Sequence, residues 1–301
     1  MKTLLYSISR NTKLFFKDKG LFFTSLITPL ILLVLYATFL SNVYRSSYQQ
    51  IFSAVGFTAT EKQLNGLVGG QLMSSLLAVS CVTVSFCSNM LMVQDKISGA
   101  RKDLMMTPLK RSTLALSYYI STTISTLIIC LIALIACFIY VGSIGWFITF
   151  GDACLILIDI FLLVTFGTAL SSVINYFLSS QGQISAVGSI VSSCYGFICG
   201  AYMPLSSFSE GLRNAVMFLP GTYGTSLIRN HCLGGAIESL SATSTIPAEA
   251  IKGLKDSVDC NLYFFGTQVS QPVMYVIMGV SIVLLIGAYV LINVLHGKKN
   301  K

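Results

Sequence analysis

Residues 112–151 carry no charged side chain, and neither do residues 63–94. A helix crosses the hydrocarbon of a bilayer with about 20 apolar residues, so the first of these runs is too long for one crossing and has to turn within itself. Gly142, Ser143 and Gly145 mark the turn. The same search along the chain predicts six spans, at residues 21–40, 67–93, 114–141, 153–177, 184–203 and 273–295. Pro29 predicts a kink in the first, and the polar turn 179–183 separates the fourth from the fifth. Apolar residues make up 54% of the chain and charged residues 10%, with a mean hydropathy of +0.78, whereas soluble domains carry about 25% charged residues. The expected fold class is an all-α polytopic membrane protein.

The net charge of +8 does not call for nucleic acid as a partner. The cations gather at the ends of apolar runs, where orientation signals and anionic lipid account for them. Placing the N-terminus, residues 94–111 and the C-terminus on one side collects Lys2, Arg10, Lys13, Lys17, Lys19, Lys96, Arg101, Lys102, Lys110, Arg111, Lys298, Lys299 and Lys301 there. The other side receives Arg45, Lys62, Arg213, Arg229, Lys252 and Lys255. Both termini, including the basic tail 296–301, are therefore expected in the cytoplasm, in a multi-pass protein of the cell membrane. In residues 1–20, Leu4, Leu5, Ile8, Phe15 and Phe16 recur near helical spacing among cationic positions. That pattern predicts an amphipathic helix lying in the membrane interface; ordinary cationic flanks of the first span are the alternative.

Catalytic chemistry is poorly represented. The chain has two histidines, His231 and His296, in distant places, and no phosphate-binding G-x-x-x-x-G-K-[ST] loop. The nine cysteines include no C-x-x-C, and most lie in apolar runs as small hydrophobes. No enzyme and no metal site is expected. If transport here runs on ATP, another polypeptide has to bind the nucleotide. No fixed-period or inverted repeat of the kind found in many secondary transporters is visible.

The densest charge lies between the second and third spans, in residues 94–111, QDKISGARKDLMMTPLKR. Charged residues alternate there with Ile97, Leu104 and Met105, and Pro108 is placed to end a helix that begins near Asp95. In Asp95, Lys96, Gly99, Asp103, Thr107 and Pro108 this segment resembles the coupling helix of the permease subunits of type-2 ABC exporters. Two aspartates stand where glutamates are commoner in that family, and Ala100-Arg101 replaces the usual Thr-Leu. The resemblance implies that Asp95, Lys96, Gly99, Arg101, Lys102, Asp103, Met105, Thr107 and Pro108 face a separate ABC ATPase subunit, which would carry the ATP and Mg. An ordinary cationic loop is the alternative.

A second resemblance lies in residues 202–230, where Pro204, Leu219, Pro220, Tyr223 and Arg229 fall as the same family places a proline-bounded external hairpin before its last span. Residues 205–220 are too short and interrupted to cross, so a re-entrant hairpin at 204–230 is expected, either closing the outer end of the path or forming a surface loop. Residues 231–271 read as a polar external loop. Cys232 and Cys260 are the two cysteines outside the predicted spans, on the oxidising side, and a disulfide between them is expected. Gly188, Ser192, Gly196 and Gly200 put a small residue every four positions along the fifth span, a face suited to close helix packing. In the resembling family that span lies near the dimer interface, so the face meets either a second copy or the chain's own first or second span. Asp159 is the ionisable residue read as lying well inside a span, facing either a polar path or a Ser or Tyr partner.

The reading of the whole is a permease subunit, paired with a second copy or a sister permease, that moves an amphipathic or lipid-like substrate outward through spans one, two and five. A secondary carrier or channel without an ATPase is the alternative.

Overall fold

The computed structural model of the protein describes residues 2–54, 56–107, 109–242 and 247–299. Helix α1 (Lys2–Lys17) is followed, after Asp18, by one long helix made of α2 (Lys19–Leu35), a π-helical turn Tyr36–Leu40 and α3 (Ser41–Ala54). Asp18 starts it: its Oδ1 accepts a hydrogen bond from the Leu21 amide, which satisfies one of the orphan donors of the first turn. The helix continues through Pro29, where a kink is expected from sequence; the departure from α geometry comes at Tyr36–Leu40 instead.

Helices α4 (Glu61–Ser88) and α5 (Met90–Ile97) run on from one another through Asn89, and a short α6 (Ala100–Met106) follows. Thr60 and Gln63 cap the start of α4 reciprocally, each accepting from the other's backbone amide. The next helices are α7 (Arg111–Ile144), α8 (Phe150–Phe177) and α9 (Gln181–Ile198), with a second reciprocal cap, Thr149 and Asp152, starting α8. A 3-10 turn Leu205–Ser207 leads into α10 (Glu210–Val216), α11 (Pro220–Ser241), α12 (Ala248–Ser257), the hairpin β1 (Leu262–Phe264) and β2 (Thr267–Val269), and α13 (Gln271–Lys299). The hairpin is antiparallel with Leu262 opposite Val269, and Phe265 and Gly266 both take positive φ, 46° and 83°, as a two-residue type I′ turn requires.

Among the described residues, five helices are long and apolar enough to cross a membrane: Lys19–Ser53, Glu61–Ile97, Arg111–Ile144, Phe150–Phe177 and Gln271–Leu295. The protein is an all-α polytopic membrane protein. The expected fifth span departs from its predicted bounds: α9 begins at Gln181, includes two glutamines in its first turn and ends at Ile198. Its 18 residues rise only about 27 Å at 1.5 Å per residue.

The helix of the second span occupies the centre. α4 is buried along nearly its whole length and packs against α2, α7, α8, α9 and α11. Small residues allow this. A Cβ on Gly70 would run into the Cys232 carbonyl of α11, and one on Gly167 of α8 would run into the Val82 backbone of α4. Inside the bundle Asn89 Nδ2 donates to Ser171 Oγ at 3.0 Å and Ser172 Oγ at 3.1 Å, tying the α4–α5 junction to α8.

Residues 231–241 belong to helix α11 and not to a polar loop. Helix α11 runs unbroken through residues 230 and 231 and is largely buried as far as Leu240. Its Pro220 end shares a cavity with Phe166 and Leu170 of α8, Gly224 faces Leu163, and Ser239 O accepts from Gln63 at the start of α4. It thus rises from inside the bundle to the end where α4 and α8 begin. Arg229, His231, Thr222, Thr225 and Ser226 sit on faces that pack, which a hydropathy reading cannot distinguish from a solvated loop.

Candidate functional site

At the end of the bundle that holds both termini, the expected coupling segment divides into two parts. Asp95 and Lys96 belong to the last turns of α5, and the segment's own helix is only Ala100–Met106. Gly99 makes the break, with φ of 86°, a conformation glycine adopts without steric cost. The two parts differ in environment. Asp95 is buried, and Arg10 Nη1 of α1 donates to it at 2.7 Å and Tyr118 Oη of α7 at 2.6 Å. Lys96 Nζ donates to the Tyr176 and Leu178 carbonyls at 3.0 and 2.8 Å, closing the C-terminal end of α8. These two residues hold helices together and do not face outward, which corrects their expected role in docking. A buried carboxylate is stable only when paired, and Arg10 and Tyr118 supply the pairing.

On α6, Arg101 points inward, donating to Asn293 Oδ1 at 3.0 Å and lying over the Tyr176 ring. Lys102, Asp103, Met105 and Met106 are exposed, Lys102 and Met105 at the edge of a cavity they share with Arg101. Met106 is 86% exposed. Thr107 Oγ1 donates to Leu104 O at 2.6 Å and ends the helix; Pro108 lies outside the described residues. Met106 is absent from the set expected from sequence, although its place one residue after Met105 on a short charged helix is a readable signal. Around this element, α1 packs along α7, leaving Leu5 and Tyr6 exposed as an amphipathic surface helix would.

Deeper in the bundle lies a group of paired charges on α11. Arg229 is 1% exposed; it donates from Nη1 to Val258 O at 2.9 Å and to Asp259 Oδ2 at 3.2 Å, and from Nη2 to Gly200 O at 2.8 Å. Asp259 also accepts from the Leu205 amide at 2.8 Å. Burial pushes the Asp259 carboxyl above its ordinary range, and Arg229 and the Leu205 amide pull it back. Two turns of chain are locked by this node, because Gly200 and Asp259 both hold positive φ, 74° and 55°. Close by, His231 Nδ1 lies 2.6 Å from Asp159 Oδ2 and Tyr275 Oη donates to Asp159 Oδ1 at 2.7 Å, joining α11, α8 and α13. Asp159 does find a tyrosine, as one of its two expected readings has it. It is not alone among ionisable groups in the interior, since Arg229 and His231 share that interior.

These contacts correct further expectations. Arg229 and Tyr223 are buried within the bundle, Tyr223 Oη donating to Met217 O at 2.7 Å, and neither is free to line an external opening. Pro204 and Leu219 do border cavities, and Pro220 is the first residue of α11. The small-residue face of α9 turns toward this chain: a Cβ on Gly188 would meet Met90, one on Gly196 would meet the Tyr202 ring, and Gly200 ends the helix against Arg229. Ser192 is half-buried on the same helix. At Gly188, Gly196 and Gly200 the face packs within this chain, one of its two expected readings. Cys232 and Cys260 are both buried and unbonded. Burial pushes the Cys260 thiol up to about 12, which makes it an inert packing group and not a reactive one.

Between α2–α3, α4 and α9 lies a cavity of about 420 Å3 whose wall includes Tyr44, Ser47, Tyr48, Gln71, Tyr202 and Pro204. Tyr48 and Gln71 are 2% and 1% exposed, and among the described residues the Tyr48 hydroxyl and Gln71 Oε1 have no hydrogen-bond partner. Buried polar atoms are nearly always paired, so a cavity that leaves two of them open on an aromatic wall suits an amphipathic occupant or water. Nothing in the sequence marks these residues as a set, because they come from α3, α4 and the segment after α9.

Over residues 3–232 the chain matches the family described as ABC-2 type transporter. Among curated proteins, none matches it.

Proposed function

The chain belongs to the ABC-2 type transporter family, and on that premise we propose that it is the permease subunit of an ATP-driven exporter. As an ABC-2 membrane domain it is a transport subunit and not itself the catalyst. In this reading ATP and Mg bind a separate ABC ATPase subunit on the cytoplasmic side, where the basic flanks and both termini lie. Two permease copies, or this chain and a sister permease, frame the path. The observation that carries the reading is α6: a seven-residue helix with Lys102, Asp103, Met105 and Met106 all exposed, Asp103 and Met106 outside the cavity that Lys102 and Met105 border. Exposed apolar side chains flanked by both signs of charge at the end of a membrane bundle fit a groove on a soluble partner.

Closure of the ATPase pair would push α6. Arg101 and Lys96 tie α6 and α5 to α13 and α8, and Asp95 ties α5 to α1 and α7, so the displacement reaches the spans through hydrogen bonds and not through a flexible loop. The cavity between α3, α4 and α9 supports a path along spans one, two and the fifth helix, and its aromatic and hydroxyl lining supports an amphipathic or lipid-like substrate. The segment from Pro204 through α10 to Leu219 would close its outer end.

Purification in mild detergent tests this. The protein is expected to bring down an ATP-binding subunit, and Met106→Glu combined with Asp103→Lys is expected to release it while the permease remains monodisperse. Transport that persists in proteoliposomes without ATP would sink the exporter reading.

A further inference from the structure

Beside α6 is a cavity of about 430 Å3 lined by Lys96, Arg101, Lys102 and Arg111, with Met105 of α6 and Tyr176 and Phe177 of α8 forming part of its wall. The four cations come from α5, α6 and the first residue of α7. Among the described residues none of the four makes an ion pair. Asp95, next to Lys96 in sequence, is turned away to Arg10 and Tyr118, and the salt bridges present elsewhere in the chain do not involve this cluster. Two of the cations are held in place by neutral groups: Lys96 by the Tyr176 and Leu178 carbonyls, Arg101 by Asn293 and the Tyr176 ring. Four like charges around one cavity repel one another, and fixing two of them with hydrogen bonds preserves that repulsion instead of relieving it. A bound anion removes it.

We infer that this cavity is a binding site for the phosphate of an anionic phospholipid headgroup. The position selects a lipid over a soluble phosphate. The cavity lies where α8 and α13 end, at the depth of the headgroups for any helix that crosses the bilayer. Its wall passes from cations to Phe177, which is 60% exposed. A headgroup phosphate among the cations would leave its acyl chains beside that ring. Basic pockets between membrane helices at the cytoplasmic surface take anionic headgroups in this way. The docking face of α6, with Met106 and Asp103, points elsewhere, so a lipid here would brace α6 from behind. The inference requires only that α8 and α13 cross a membrane; it does not depend on the transport reading.

Native mass spectrometry of the purified chain, titrated with phosphatidylglycerol or with phosphatidylcholine of the same acyl chains, tests it. One phosphatidylglycerol is expected to be retained in preference to phosphatidylcholine. Arg101→Gln with Arg111→Gln should weaken that retention about 30-fold, roughly fivefold per charge, while Lys110→Gln, which removes an exposed charge outside the cavity, should leave it unchanged. Equal retention of the two lipids by the unaltered chain overturns the proposal without reference to any variant. Displacement of the lipid by inorganic phosphate at comparable concentration also overturns it and assigns a free-anion site. Loss of a co-purifying ATP-binding subunit with lipid occupancy unchanged would assign the cavity to the protein partner, again overturning it.

Discussion

On α6, Lys102 and Asp103 stand exposed beside Met106, whereas on α11 Arg229 and His231 are buried and each meets a carboxylate. Both regions introduce charge into a chain with little of it, and hydropathy alone treats them alike. Charge placed in a low-dielectric interior costs several kcal/mol unless it is paired and hydrogen-bonded, so the partners seen on α11 are the condition for that helix being inside at all. Asp103 and Lys102 on α6, being exposed, meet no such condition and remain available to a partner. Burial therefore separates a helix that holds the fold from one that communicates with something else.

The comparison is open to being broken by substitution. Arg229→Met strands Asp259 in the interior and should cost about 3–5 kcal/mol, read as a large fall in the melting temperature of the purified protein in detergent. An unchanged melt would remove the node as a source of stability. Asp95→Ala comes next: it leaves the Tyr118 hydroxyl and Arg10 without their acceptor and should cost about 1–3 kcal/mol, with increased proteolysis of α1 as a second readout. Asp159→Asn preserves the shape and an acceptor for Tyr275 and should cost about 1 kcal/mol. If transport falls while assembly is normal, Asp159 belongs to the path; if both are normal, its contacts with His231 and Tyr275 are structural. At the small end, Met106→Ser is expected to change stability by no more than about 0.5 kcal/mol. The same variant should reduce recovery of the ATP-binding subunit about tenfold or more, as removal of a central apolar anchor does. A destabilisation comparable to that of Arg229→Met would show that α6 packs internally, and the contrast between the two regions would fail.

Much of the fold was legible because spans announce themselves by length and by the absence of charge. The spans predicted at 114–141 and 153–177 fall within α7 and α8, and the one at 273–295 within α13. The site was legible in part. Residues 94–111 were marked by charge and Gly99 by its type, and the structure places a helix break at Gly99. Asp95 and Asp103 were indistinguishable by sequence, since both are acids in one short charged run; only the positions of Arg10 and Tyr118, far away in the chain, draw the first of them inside. The small-residue face of α9 was visible as a packing surface, but which partner it packs on depends on Met90, Tyr202 and Arg229. The misreading of residues 231–241 has a similar origin. Helix α11 is not apolar enough to read as a membrane element, and its polar groups are met by the Asp159 side chain of α8 and by backbone carbonyls of Gly200, Val258 and Asp259.

What the sequence by itself determined is that this chain crosses a membrane several times as helices, with its cations concentrated toward one end, because unpaired backbone groups and unpaired charges are both excluded from hydrocarbon. Which charges are inside and which are offered to a partner was decided by the tertiary structure. Pairing energy depends on distances between residues that are remote in the chain, as with Arg229 and Asp259 or Arg10 and Asp95, and no local pattern encodes those distances.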